Sequence, residues 1–239
     1  MPIKDYLQFM KAFAAKPTRV GSVAPSSQGL ARTMIDWIDW GNLDTVIEYG
    51  PGTGVFTEHI LDKVSPSETF FAIELNPSLV KGLQERFAEL KVYEGTVEDV
   101  ERFCAEQGIE QVDAIICGLP WANFSESDQT KYLESMLRIL KPGGQFTTFA
   151  YLSGLLLPAG QRFKQKLGKH FSHVERSATV WRSPAEAWAG PGSGSEVHHA
   201  LQAAADNRGR QRSRCAGADN VRTDRAGHAG HVEGRGAEA

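Results

Sequence analysis

The residues best suited to chemistry are Val46-Ile47-Glu48-Tyr49-Gly50-Pro51-Gly52-Thr53-Gly54. Glycines at this spacing let the backbone turn sharply and approach a ligand without a Cβ in the way. The spacing also excludes ligands. A dinucleotide fingerprint needs G-x-G-x-x-G, whereas the residue three beyond Gly52 is Val55. No Gly-Lys-Ser/Thr ending follows, so this is not a triphosphate cradle either. What remains is a glycine loop preceded by an acid, Glu48, and suited to a ligand that brings positive charge and no phosphate. A second acid, Glu74, follows in Ile73-Glu74-Leu75-Asn76, where a carboxylate can accept from both hydroxyls of a sugar. Gly95-Thr96-Val97-Glu98-Asp99 comes next, and then Cys117-Gly118-Leu119-Pro120-Trp121-Ala122-Asn123-Phe124.

These motifs need a scaffold that brings them to one edge. Strands are expected at Thr45–Tyr49, Thr69–Glu74, Lys91–Glu94, 114–117 and 145–151, with a further one at 173–180. Helical patterns fall between them, at 54–64, 77–90, 97–107 and 127–140. This alternation predicts an α/β fold, a doubly wound and mostly parallel sheet with helices on both faces. Every motif then lies just beyond the carboxyl end of a strand, where open sheets bind ligands. Pro142-Gly143-Gly144 is expected to stop a helix and start a strand.

Composition narrows the function classes. The chain has 239 residues, is 41% hydrophobic and 23% charged, and carries a formal net charge of −3. That charge offers nucleic acid no general attraction, so nucleic acid is not the expected partner. The three cysteines form neither a CxxC nor a Cys/His cluster, so no metal site or disulfide framework is expected. No apolar run reaches the roughly 18 residues of a membrane span, and no signal peptide is read at the start of the chain. The expected location is cytoplasmic, with membrane contact only peripheral.

Three segments are expected. In residues 1–19, Ile3, Tyr6, Leu7, Met10 and Phe13 recur at helical spacing beside Lys4, Lys11, Lys16 and Arg19. That pattern suits an amphipathic helix on an anionic membrane surface, and equally a helix packed on its own domain. Residues 20–182 hold the motifs. Beyond Arg182 the chain contains no Lys, Ile, Phe, Tyr or Met. Residues 183–239 are therefore expected to be disordered or aberrant: a flexible tail, or the out-of-frame product of a GC-rich gene. The last antiparallel strand of the sheet is then expected to be missing.

Taken together, residues 48–54, Glu74, residues 95–99, Leu119-Pro120-Trp121 and Leu140-Lys141-Pro142-Gly143-Gly144 resemble, in order and spacing, the motifs of class I S-adenosylmethionine-dependent methyltransferases. The likeness spans residues 20–182. It implies a seven-stranded Rossmann-like sheet, S-adenosylmethionine as cofactor and no metal. By the same resemblance Glu48, Gly50, Gly52, Gly54, Glu74, Leu75, Thr96, Val97 and Cys117 hold the cofactor, and Leu119, Pro120, Trp121 and Tyr151 form the reacting side. Trp121, Phe124 and Tyr151 are the aromatic residues expected to wall an ammonium.

Arg19-Val20-Gly21-Ser22-Val23-Ala24-Pro25-Ser26-Ser27, the preceding helix and the Gly-Leu-Pro loop are similar to bacterial phospholipid N-methyltransferases. That likeness implies a lipid amine of the phosphatidylethanolamine type as substrate, and an N-terminal segment that docks on lipid and closes over the cofactor. More distantly, the chain is similar to rRNA adenine dimethyltransferases. Those carry Asn or Asp where this chain has Gly118, so a base amine would meet only backbone carbonyl here. A third reading is a lipid-associated protein that keeps the fold without catalysis. No motif marks a general base.

Overall fold

Short β-branched and aromatic runs build the centre of the molecule. In the computed structural model, residues 28–178, 180–181 and 197–205 are described. The expected helix at 1–19, the segment 20–27 and the remainder of 183–239 lie outside them. Strands β1 (Thr45–Tyr49), β2 (Thr69–Glu74) and β3 (Lys91–Glu94) stand where the sequence predicts them. Strand β4 is Val112–Cys117 and β5 is Leu140–Tyr151. The pairs β1–β2, β1–β4, β2–β3 and β4–β5 are all parallel, so five parallel strands form the centre in the order β3-β2-β1-β4-β5. The order reverses between β1 and β4, and the crevice at such a switch point is where ligands bind.

Helices cover both faces. On one face α4 (Val100–Glu106), α5 (Glu126–Ile139) and α7 (Pro158–His170) pack Phe103, Met136 and Phe163 against Ile47, Ile115 and Phe146. On the other, α1 (Gln28–Ile35) and α2 (Val55–Leu61) pack Met34, Phe56 and Ile60 against Val46, Ile116 and Phe149. Helix α3 (Pro77–Arg86) covers Ala72 and Val92 through Val80 and Leu83. A short α6 (Leu152–Leu156) leads from β5 into α7. At the amino ends of the strands Asp113 Oδ2 accepts from the backbone N–H of Asp44 and of Thr45, both at 3.0 Å, while Lys141 Nζ lies 2.6 Å from Asp113 Oδ1.

The sheet has eight strands among the described residues, not the expected seven, and two further expectations are corrected. Pro142-Gly143-Gly144 does not precede β5 but lies inside it. The β4–β5 register runs Val112↔Leu140 and then Ala114↔Gln145, so these residues form a bulge, with Gly143 at φ +79°. The missing last strand is the second. Strand β8 (Val197–Ala205) inserts antiparallel between β5 and β6 (Phe171–Arg176), within the stretch whose composition argued against any strand. A strand flanked on both sides has backbone partners in both directions, and that context overrides weak propensity. The strand expected at 173–180 is divided into β6 and the short β7 (Val180–Trp181), both pairing with β8.

Seven residues of β5, Gln145 to Tyr151, pair with β8. A chain ending at residue 196 should therefore lose more than about 3 kcal/mol of stability through unmade ladder bonds and an open edge. Urea denaturation of the two lengths reads this, and equal midpoints and slopes would contradict the role given to β8.

Candidate functional site: a cleft at the carboxyl ends of the strands

Past the strand ends, backbone hydrogen bonds keep the loops in line with the sheet. Gly50 N donates to Ile73 O at 2.9 Å, Gly95 N to Glu74 O at 3.0 Å and Gly118 N to Tyr49 O at 2.7 Å. The loops after β1, β2, β3 and β4 thereby share one rim. Below it lies a cleft that is partly open to solvent. Of the residues named from sequence it brings together Gly50, Glu74, Leu75, Gly95, Thr96, Val97, Leu119 and Phe124, and it adds Ile73 and Tyr132.

The glycine loop has the conformation its sequence requires. Gly50, Gly52 and Gly54 have φ of +65°, +60° and +85°, a region that side chains disfavour. Gly54 also caps α2, and a Cβ there would lie 2.6 Å from the Phe87 ring. Gly118 is constrained by close approach instead. A Cβ on it would stand 2.6 Å from the carbonyl oxygen of Gly50, so the loop after β4 and the glycine loop are too close for any side chain between them.

Glu74 is 2% exposed and sits at the tip of β2. Its Oε2 accepts from Gly52 N at 3.1 Å and its Oε1 from Asn76 N at 2.9 Å. Burial raises its pKa, against the pull of these N–H donors. A carboxylate offers about four acceptor sites, so both oxygens keep capacity toward the cleft. Thr96 is held from behind, with its N–H and its hydroxyl both donating to Asp99 Oδ2 at 3.0 Å. It lines the cleft and starts the turn before α4 at the same time.

Glu48 lies in the opposite layer, under α2. It is fully buried, and Thr57 Oγ1 donates to its Oε2 at 2.7 Å. Oε1 has no partner among the described residues. Burial pushes the carboxyl up to about 8, Thr57 pulls it down, and the nearby Glu74 adds a smaller upward push. Cys117 is also buried beneath the rim. Burial takes its thiol up to about 12, so it stays a thiol and offers no nucleophile.

The acceptor side differs from expectation. Trp121 is 3% exposed and stacks on Phe163, with centroids 4.1 Å apart and planes at 10°. It is part of the core and does not line the cleft, and Pro120 only leads into its turn. Tyr151 packs edge-on to Phe149 on the face of α1 and α2. Strand alternation accounts for this, because Phe149 and Tyr151 lie opposite in parity to Phe146, which faces α7. The aromatic pair in the cleft is Phe124 and Tyr132, edge to face at 5.2 Å. Tyr132 comes from α5, where no motif marks it. Burial, with Asp128 and Glu98 nearby, pushes its hydroxyl up to about 12, so it stays neutral. Among the described residues no group of three His, Cys, Asp or Glu gathers as a metal site.

Comparison with known proteins agrees with this geometry. Residues 46–144 match the family described as a methyltransferase domain. The chain is 36% identical over 147 residues to the ornithine lipid N-methyltransferase of Singulisphaera acidiphila, a match covering 60% of this chain and 77% of that one. A ribosomal RNA small subunit methyltransferase A from Synechococcus sp. is 43% identical over only 56 residues, 19% of its length. Among solved structures, a Streptomyces achromogenes O-methyltransferase of tomaymycin synthesis, in complex with SAM, shares the fold with TM-score 0.56 at 16% identity, over 83% of this chain and 89% of that one. The chain belongs to the class I S-adenosylmethionine-dependent methyltransferases, and its cofactor is S-adenosylmethionine. The cleft fits that group: Glu74 has acceptor capacity left for a ribose, Gly52 faces open space, and the walls are apolar and aromatic.

Two outcomes follow. Glu74→Ala should weaken S-adenosylmethionine binding by about ten-fold or more, because it removes an acceptor and releases the Gly52 N–H; unchanged affinity by calorimetry would remove Glu74 from the site. For Glu48, a raised folded-state pKa means the native chain keeps a proton that the unfolded chain loses. The stability tied to that proton is complete below pH 4.5 and is lost as pH rises to about 8. Glu48→Gln should abolish a slope of up to about 1.4 kcal/mol per pH unit across that window. Urea midpoints that fall in parallel for both proteins between pH 5 and 8 would refute this.

Proposed function

We propose that the chain methylates the amine of a membrane lipid head group, of the phosphatidylethanolamine or ornithine-lipid type, at an anionic membrane surface. The observation that carries this reading is the close approach at Gly118. An acceptor loop with no room for a side chain there cannot present an Asn or Asp to a base amine. The relative matched over most of its length is named for a lipid amine substrate, and the ribosomal RNA relative shares only a short segment. Bound S-adenosylmethionine supplies a methyl group activated by its sulfonium. The chain's own residues then have to bind, align and exclude water. Glu74 holds the sugar end, and Thr96 and Val97 border the base end. Leu119, beside Gly50, closes the wall at the reacting end. Glu48 Oε1 has no donor among the described residues, and a cation drawn against it would favour the ionised carboxylate of Glu48.

The Phe124–Tyr132 pair gives the acceptor side an aromatic surface, which tolerates an amine as it gains permanent charge. It takes the part expected of Trp121 and Tyr151. Residues 1–19 remain, in this reading, the segment that meets the membrane.

Transfer of radiolabelled methyl with extracted lipids and ribosomes offered side by side tests the assignment. Label is expected in the lipid phase, on phosphatidylethanolamine or ornithine lipid. Label confined to ribosomal RNA, or to a water-soluble amine, would reject it.

A further inference from the structure

The elbow between β5 and α7 stands outside the cofactor cleft. Leu156 is 77% exposed and Leu157 49%, two of the three large hydrophobic residues standing in solvent among the described residues. They are adjacent, between half-buried Leu155 and exposed Pro158, so they form a patch rather than scattered exposures. Helix α7 continues from this tip with Arg162, Lys164, Lys166 and Lys169 and no acidic residue. Arg162 and Lys166 lean on Glu126 at 3.8 and 4.0 Å. Lys164 and Lys169 are exposed and make no ion pair among the described residues. Phe163 and Leu167 face the core, so Lys164 falls on the outward stripe with Gln161, Gln165 and Gly168.

A bare apolar tip followed by unopposed cations matches the boundary of an anionic bilayer, where leucines enter the head-group layer and lysines meet phosphates. An RNA backbone would be served by the lysines but not by the leucines. The elbow is also fastened to the acceptor loop. Gln129, fully buried, donates through Nε2 to Trp121 O at 2.7 Å and to Ala159 O at 3.0 Å. Gly160 packs directly against Gly154 O, and a Cβ on Gly154 would lie 3.1 Å from Ala122 Cβ.

We infer that the α6–α7 elbow, through Leu156, Leu157, Lys164 and Lys169, docks the enzyme on an anionic lipid bilayer and sets the acceptor loop at head-group height. The inference rests on the lipid reading of the site, and adds a contact separate from residues 1–19. Flotation of the full chain with phosphatidylcholine vesicles, with and without phosphatidylglycerol, tests it. Leu156→Ser with Leu157→Ser should reduce vesicle binding several-fold. Lys164→Glu with Lys169→Glu should reduce it about five-fold per lysine, on the anionic vesicles only. Calorimetric affinity for S-adenosylmethionine should stay unchanged in both variants. Unaltered flotation of both variants overturns the inference, as does loss of ribosomal RNA binding with flotation intact. Methyl transfer to detergent-dispersed lipid reads the substrate independently. Transfer that persists while flotation ignores the elbow rejects the docking surface alone. Absent transfer with elbow-dependent flotation rejects the substrate and keeps the surface.

Discussion

The carboxylate of Glu74 is the contact on which the site depends. Glu74 ends β2, yet it reaches across to Gly52 N–H in the loop after β1 and back to Asn76 N–H at the start of α3. One side chain thereby fixes the glycine loop against its neighbouring strand and defines the entry to a helix. The cost is a buried acid, and the two N–H donors reduce that cost. Because the same oxygens face the cleft, the group that holds the loop is also the group offered to the ligand. The rim bonds of Gly50, Gly95 and Gly118 extend this order along the sheet.

The second constraint is steric. The glycine loop and the loop after β4 touch at Gly50 and Gly118, with a carbonyl oxygen where a side chain would stand. That contact decides what the acceptor side can contain. Polar recognition through a side chain at 118 is unavailable, and the wall beside it is the apolar and aromatic one of Leu119, Phe124 and Tyr132. Behind this wall Trp121 and Phe163 form a stacked layer that anchors α7. The acceptor loop, α5 and α7 consequently behave as one packed unit.

The cofactor half of the molecule was legible in the sequence because its signals are local. β1, β2 and β3 are short β-branched and aromatic runs between turns, with Glu74 at the end of β2 and Thr96 just past β3, whereas Glu48 lies inside β1 and turns under α2 rather than into the cleft. The acceptor half depends on packing between distant segments. Tyr132 reaches the cleft from α5, and no local pattern marks that side of the helix. Trp121 follows Leu119 by two residues, yet the turn rotates it into the core. Helices α1, α6 and α7 lie outside the motifs, and of their signals only Pro158 at the first turn of α7 marks a helix start. β8 was invisible because the Ala-rich stretch around it has no alternation, and what makes it a strand is the pair of neighbours that receive it.

The position of β8 also shapes how the chain is made. The five parallel strands are complete by Tyr151 and α7 by His170, but the strand that fits between β5 and β6 emerges from the ribosome after every other described strand. Until then β5 presents an open ladder, and β6 must not take the vacant place. Pairing so distant in sequence is slow and leaves an exposed edge during synthesis. Growing chains of this enzyme therefore pass through a stage in which the cofactor pocket can already form while the barrier to self-association is not yet in place.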